Sequence, residues 1–210
     1  RFGAPQASWM AGLGTLRDGD VPRLPTSVRV MVAAAIVVMA IGVTLLATGT
    51  VRWNQLVVVI AHRGASAAAP ENTLAAFRLA GEQRTDFVEL DVQESADGEV
   101  VVIHDADLMK VGGSPLKVWE TTAADLRAVD IGSHKDRQFA AERVPTLAEA
   151  LAACKGRSGV IVELKTYGHG KQLEEKVVAI VEASGMARDT LFMSLDHGMA
   201  RKMKSLRPDW

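Results

Sequence analysis

Ionisable side chains recur where short apolar runs end. His62-Arg63-Gly64 follows the β-branched run at 57–61, and Glu89 and Asp91 interrupt Phe87-Val88-Glu89-Leu90-Asp91. His104-Asp105 follows the run at 99–103, and Glu163 and Lys165 close Val160-Ile161-Val162-Glu163-Leu164-Lys165. In an extended strand, residues two apart point to the same face, so Glu89 aims with Asp91 and Glu163 with Lys165. A carboxylate buried alone is very costly. Three of them facing one space offset their repulsion by holding a hard divalent cation, and oxygen ligands suit Ca²⁺ or Mg²⁺. Two histidines suit proton transfer, since a free imidazole titrates at about 6.5, near neutral pH. Arginine's planar fork and lysine's point charge suit an anionic group such as a phosphate.

Each residue also has a plain structural reading. His62 alone would be a satisfied histidine at a strand end. Glu89 and Asp91 alone would be ion-pair partners of Arg63 or Lys165. Glu163-Leu164-Lys165 alone would be an edge strand with a polar face, and Asp105 alone the cap of a local turn. Their coincidence at one edge of the fold decides for a site.

The elements that position them alternate. Short strands are expected at 57–61, 87–92, 99–103, 159–164 and 190–194. Between and after them, helices are expected from Asn72 as N-cap to a stop at Gly81, then at 122–129, 146–154, 171–184 and 196–206. Strands alternating with helices predict a parallel sheet covered on both faces. In such sheets and in barrels, ligands bind at the C-terminal strand ends, where the ionisable residues fall. One pairing stays open. Too few residues separate Val92 from Val100 for a crossover helix, and Asp97-Gly98 is a hairpin signal. A two-residue hairpin would set Asp91 opposite His104, whereas an extended return would leave the strands parallel. Either way Asp91 and His104 come close.

Formal net charge is −1, from 24 basic and 25 acidic residues, and aromatic residues do not interleave with the basic ones. This excludes a dedicated nucleic-acid surface, which needs a basic face and stacking platforms. The single cysteine, Cys154, forms no internal disulfide and reads as a small apolar residue buried on a helix. Residues 1–27 read as a loop or tail. An uncharged run from Val30 to Ala47, with Thr44 its only polar side chain, reaches the length of about 18 residues needed to span a bilayer. A transmembrane helix is therefore expected over 28–51, with Arg52 and Trp53 as an interfacial anchor. Signal-peptide cores are shorter and lie nearer the N-terminus. Arg17, Arg23 and Arg29 before the span outnumber Arg52 and Arg63 after it, so the downstream domain is expected on the extracytoplasmic side. The chain begins at Arg1 and ends at Trp210, so both ends are expected to continue.

The motifs His62-Arg63-Gly64, Pro70-Glu71-Asn72-Thr73, Glu89-Leu90-Asp91-Val92, Asp97-Gly98, His104-Asp105, Val144-Pro145-Thr146-Leu147 and Glu163-Leu164-Lys165 stand in one order. Together they resemble the glycerophosphodiester phosphodiesterase family, from about Ile60 to the C-terminus. The resemblance implies an α/β fold, a (β/α)₈ TIM barrel of the phosphoinositide-phospholipase-like phosphodiesterase type. It would be C-terminally truncated here, with about five of eight strands in 56–210, and preceded by the transmembrane helix. The activity implied is metal-dependent hydrolysis of glycerophosphodiesters to glycerol 3-phosphate and an alcohol. Glu89, Asp91 and Glu163 would hold the divalent metal, Ca²⁺ or Mg²⁺. His62 and His104 would be the acid–base pair, and Arg63 and Lys165 would contact the phosphate. The nucleophile would be the neighbouring glycerol hydroxyl rather than water. Two alternatives accompany this reading: a membrane-tethered lysophospholipase D using the same chemistry on lysophospholipids, and a membrane-anchored scaffold without activity. A different metal-dependent barrel enzyme, one that abstracts a proton, fits His62-Arg63-Gly64 less well. His134 and His197 read as surface residues, His169 as a loop histidine at the edge of the site, and Ser194 as a minor candidate at the end of the last strand. The run Arg201, Lys202, Lys204 and Arg207 reads as a solvated helix face.

Overall fold

The computed structural model describes residues 24–50 and 57–210. Most of the expected N-terminal tail, and the anchor residues Arg52 and Trp53, lie outside the described residues. The chain divides into two compact units, 1–56 and 57–210.

Among the described residues, the first unit contains one helix, α1 (Thr26–Thr50). Pro25 starts it, its carbonyl accepting from the amides of Val28 and Arg29. The Thr44 hydroxyl donates to the Ala40 carbonyl at 2.8 Å, which satisfies it inside an apolar run. Valine, isoleucine and leucine side chains are exposed around the helix, among them Val30, Ile36, Val38 and Leu45. Its 25 residues rise roughly 37 Å, more than the hydrocarbon core of about 30 Å. By length and composition α1 can cross a membrane, as an anchor or as a signal sequence.

The second unit begins with β1 (Ile60–Ala61), α2 (Leu74–Glu82), β2 (Phe87–Glu94) and β3 (Val100–Val102). A small excursion follows: β4 (Asp107–Leu108), α3 (Met109–Gly112), β5 (Ser114–Lys117) and α4 (Ala123–Ala128). Then come α5 (Leu147–Cys154), β6 (Gly159–Leu164), α6 (Leu173–Ser184), β7 (Thr190–Met193) and α7 (His197–Leu206). The main sheet runs β1-β2-β6-β7 with every pair parallel, as the alternation of strands and helices predicts. Val88, Leu90 and Val92 of β2 and Val160, Val162 and Leu164 of β6 bury one face against α2, α5, α6 and α7. The opposite parity, Glu89, Asp91 and Gln93 on β2 and Glu163 on β6, is left to face the site.

The open pairing is resolved as antiparallel. Val92 pairs with Val102 and Glu94 with Val100. Ser95 N–H donates to the Glu99 carbonyl at 3.0 Å, so Ala96-Asp97-Gly98 forms a three-residue loop. Gly98, at φ 84°, takes the left-handed position such loops require. The extra loop residue sets Asp91 opposite Ile103, whose N–H donates to the Asp91 carbonyl at 3.0 Å. A two-residue hairpin would have placed His104 there.

This pairing brings the two histidine segments together. β6 occupies one edge of β2 along Phe87–Val92. β1 and β3 must therefore share the other edge, β1 beside Phe87 and Val88 and β3 beside Val92 to Glu94. The chain leaving β1 travels toward Asp91 from below, and the chain leaving β3 travels toward it from above.

Caps end the helices where the sequence changes character. Thr146 and Glu149 form a reciprocal capping box at the start of α5, and Gly185, at φ 70°, closes α6. Thr73 rather than Asn72 caps α2, its hydroxyl accepting from the Ala76 amide. Asn72 turns its side chain elsewhere. The β3–α5 excursion has its own small core of Val101, Ile103, Leu108, Val111, Val118, Leu126, Ile131 and Val144.

The turn after β1 depends on Gly64. It sits at φ 77°, and a Cβ there would lie 2.7 Å from Ala76 Cβ and 2.8 Å from the Ala76 carbonyl carbon. Gly64→Ala is expected to destabilise the domain by roughly 2 kcal/mol or more, since strained backbone and a clash against a buried helix act together. Chemical denaturation of the two proteins measures this, and equal midpoints would refute it.

Candidate active site

The register of β2 against β6 sets Asp91 directly beside Glu163, with Glu89 one pleat earlier on the same face. Glu89, Asp91 and Glu163 are all buried, and each offers an oxygen within 4.8 Å of the others. Two cations approach them. Lys165 Nζ lies 3.3 Å from Asp91 Oδ1 and 3.3 Å from Glu163 Oε1. Arg63 Nε lies 3.5 Å from Asp91 Oδ2, and the Arg63 backbone N–H donates to Glu89 Oε2 at 2.8 Å.

Two cations facing three carboxylates leave the cluster short of positive charge. Burial, and next the neighbouring Asp91 carboxylate, push the Glu89 pKa up to about 7. Burial works against the Lys165 charge, yet Asp91 and Glu163 hold its pKa above the ordinary lysine range. Asp91 Oδ1 is buried and accepts no well-directed hydrogen bond. An all-oxygen donor set with one lone-pair-bearing oxygen unfilled fits a hard divalent cation.

His62 Nε2 stands 3.8 Å from Glu89 Oε2, and its ring is mostly exposed. Arg63, next to it, adopts φ 55°, and its Nη1 donates to Glu71 Oε1 at 3.0 Å. Glu71 also accepts from Lys110 of α3 at 2.7 Å; burial works to raise its pKa, but the hydrogen bond from Lys110 and the charges of Arg63 and Lys110 together bring it below the ordinary value. His104 Nδ1 lies 2.6 Å from Asp105 Oδ1. The His104 backbone carbonyl accepts from Gln93 Nε2 at 3.1 Å and from the Tyr167 hydroxyl at 2.7 Å. His104, Glu163, Lys165, Tyr167, Ser194 and Met199 line a cavity of about 460 Å³.

The seven residues read from sequence thus fall along neighbouring stretches of β1, β2, β3 and β6. Several partners were not singled out. Gln93 continues the parity of Glu89 and Asp91, and that signal was legible; its amide binds the carbonyls of residues 103–105. Asp105, read as a turn cap, pairs with the His104 ring. Asn72, read as the helix cap, donates Nδ2–H to Asp91 Oδ2 at 2.8 Å. Tyr167 gave no sequence signal, because its role depends on a loop folding back over His104.

The secondary candidates separate cleanly. His169 stacks on Trp119 with ring centroids 4.0 Å apart. His134 and His197 are exposed. The Ser194 hydroxyl donates to the Leu164 carbonyl at 2.9 Å at the cavity wall. In the charged run of α7, Lys202 pairs with Glu174 and Glu175 across to α6.

Comparison with known proteins follows the same lines. Residues 62–208 match the model of the glycerophosphoryl diester phosphodiesterase family. A glycerophosphodiester phosphodiesterase of Caldanaerobacter subterraneus subsp. tengcongensis is 34% identical over 155 residues, covering 71% of this chain and 63% of that protein. Among solved structures, a glycerophosphodiester phosphodiesterase from Agrobacterium tumefaciens is 38% identical with a TM-score of 0.65, covering 72% of this chain and 63% of the other. An Oleispira antarctica phosphodiesterase, solved in complex with the product sn-glycerol-3-phosphate, is 35% identical with a TM-score of 0.68, covering 72% and 62%. The chain spans 62–63% of the length of the first curated relatives it matches. Over the part it shares with these structures, its fold is a TIM-barrel-like α/β fold.

The raised Glu89 pKa has a measurable consequence. A carboxyl whose pKa is about 7 when folded, against an ordinary value of 4.5, holds its proton more tightly in the native state. Its contribution to stability is present below about pH 4.5 and is lost as pH rises through about 7. Metal-free protein is therefore expected to lose stability between pH 5 and 8, and Glu89→Gln should flatten that slope. Thermal melts in chelator across this range, compared for the two proteins, provide the check; parallel profiles would contradict the assignment.

Proposed function

This chain belongs to the glycerophosphoryl diester phosphodiesterase family, and from that membership we propose that the protein hydrolyses glycerophosphodiesters to glycerol 3-phosphate and an alcohol. The observation that carries the reading is the cluster of Glu89, Asp91 and Glu163 with Lys165 and Arg63 against it and a histidine segment on either side. The product seen with the Oleispira antarctica relative supports the substrate class.

A divalent cation, Ca²⁺ or Mg²⁺, would be held by Glu89, Asp91 and Glu163 and would supply charge neutralisation at the phosphate. A phosphodiester is anionic and repels nucleophiles. The Arg63 fork and the Lys165 ammonium bind the non-bridging oxygens and draw off that charge. One of His62 and His104 takes the proton from the glycerol hydroxyl next to the phosphate ester. That oxygen forms a bond to phosphorus as the bond to the alcohol oxygen breaks, and the other histidine gives the leaving oxygen its proton. Water then opens the cyclic phosphate with the two histidines in exchanged roles, which yields glycerol 3-phosphate. Asp105 beside His104 Nδ1 favours the tautomer that leaves Nε2 for the substrate.

α1 would serve as a membrane anchor, with the phosphodiesterase domain on the extracytoplasmic side, a reading supported by the arginines at 17, 23 and 29 ahead of the uncharged run at 30–47. The direct test is release of glycerol 3-phosphate from glycerophosphocholine by the full-length protein, with and without chelator. Chelator-sensitive release is expected. No release from several headgroups by folded protein would overturn the reading; lysophospholipid would then be the next substrate tried and the scaffold role the remaining one. His62→Ala and His104→Ala are each expected to lower turnover by about 10²-fold or more with the thermal midpoint retained. Normal turnover in either variant would remove that histidine from the acid–base pair.

A further inference from the structure

Asn72 is 1% exposed, and the chemistry above leaves it unused. It lies in the left-handed region at φ 54°, a conformation asparagine tolerates better than most residues. Since Thr73 caps α2, the Asn72 carboxamide is free to point at β2. We propose that Asn72 is the positioning residue of the metal centre, orienting the Asp91 carboxylate so that Oδ1 is presented to the cation. This rests on the reading of Glu89, Asp91 and Glu163 as metal ligands.

The contacts run in both directions. Asn72 Nδ2 donates to Asp91 Oδ2 at 2.8 Å, and the Asp91 backbone N–H donates to Asn72 Oδ1 at 3.4 Å. A two-point grip of this kind fixes the carboxylate plane as well as its place. One Asp91 oxygen is then committed to the amide. The other, Oδ1, is buried without a directed hydrogen bond and faces only the Lys165 ammonium at 3.3 Å among the contacts described. An amide achieves this without adding charge. A cationic residue in its place would satisfy Oδ2 equally well, but would lower the negative charge that draws a cation into the cluster.

The same loop holds the second ligand. Asn72 N–H donates to the Arg63 carbonyl at 3.0 Å, and Arg63 N–H donates to Glu89 Oε2 at 2.8 Å. Both residues have positive φ. The segment from Arg63 to Asn72 is therefore a clamp, with a backbone amide on Glu89 at one end and a side-chain amide on Asp91 at the other.

Calorimetric titration of Mg²⁺, and separately of Ca²⁺, into chelator-stripped full-length protein tests this. Asn72→Gly keeps the left-handed backbone and removes only the carboxamide. It is expected to weaken metal affinity about 10- to 100-fold, with metal-free circular dichroism unchanged and turnover recovering as metal is raised. A loss of folded protein would lower the binding stoichiometry and leave the midpoint in place, so the midpoint separates positioning from simple destabilisation. Asn72→Ser, too short to reach Asp91 Oδ2, replaces it if the glycine variant does not fold, and carries the same expectation. Wild-type affinity in the folded variant would overturn the role of Asn72. Absence of binding to wild-type protein would instead overturn the metal-centre reading beneath it.

Discussion

Three carboxylates buried side by side are the constraint from which the rest of this domain follows. The parallel register of β2 and β6 sets Asp91 beside Glu163, and the pleat sets Glu89 on the same face. Each would be costly to bury alone, and together they repel. The protein meets the repulsion only in part. Lys165 bridges two of them and Arg63 reaches the third side of Asp91, and the pKa of Glu89 is pushed up to about 7 by its burial and by Asp91. A carboxylate cluster left short of positive charge fits a divalent cation.

The second dependency is the unusual use of one strand edge. β1 and β3 meet along the same edge of β2 while running in opposite directions. The segments leaving them carry His62 and His104 toward Asp91 from two sides. Packing within the excursion after β3 then holds His104 in place. Gln93 gathers three successive carbonyls around it, and Tyr167 reaches across from the loop after β6. His169 on Trp119 ties that same loop to the excursion. The histidine is thus fixed through its backbone and its Nδ1, and its other ring nitrogen is left available.

Much of the site was legible without coordinates. Alternation of apolar and ionisable residues, at a period of two, marks Glu89, Asp91, Glu163 and Lys165 as one-sided, and the same parity reaches Gln93. Strands interleaved with helices give a parallel sheet, and ionisable residues at successive strand ends give a rim. Asn72 was the instructive miss. Asparagine before an apolar helical run is an ordinary N-cap, but the neighbouring threonine took that position through its bond to the Ala76 amide, which left the carboxamide for Asp91.

The sequence by itself determined which residues share a face, because side-chain direction in a strand follows from the pleat and needs no partner. It likewise determined the long apolar helix at Thr26–Thr50, since length and hydropathy are local properties. Only the tertiary structure decided the direction of β3, the one-residue shift that sets Ile103 rather than His104 opposite Asp91, and the pairing of Asp105, Tyr167 and Asn72 with the site. The pairings of Tyr167 and Asn72 join segments distant in the chain, whereas the register of β3 is set by the turn beside it and by what that strand packs against. In that turn, one added loop residue moves every partner by one position.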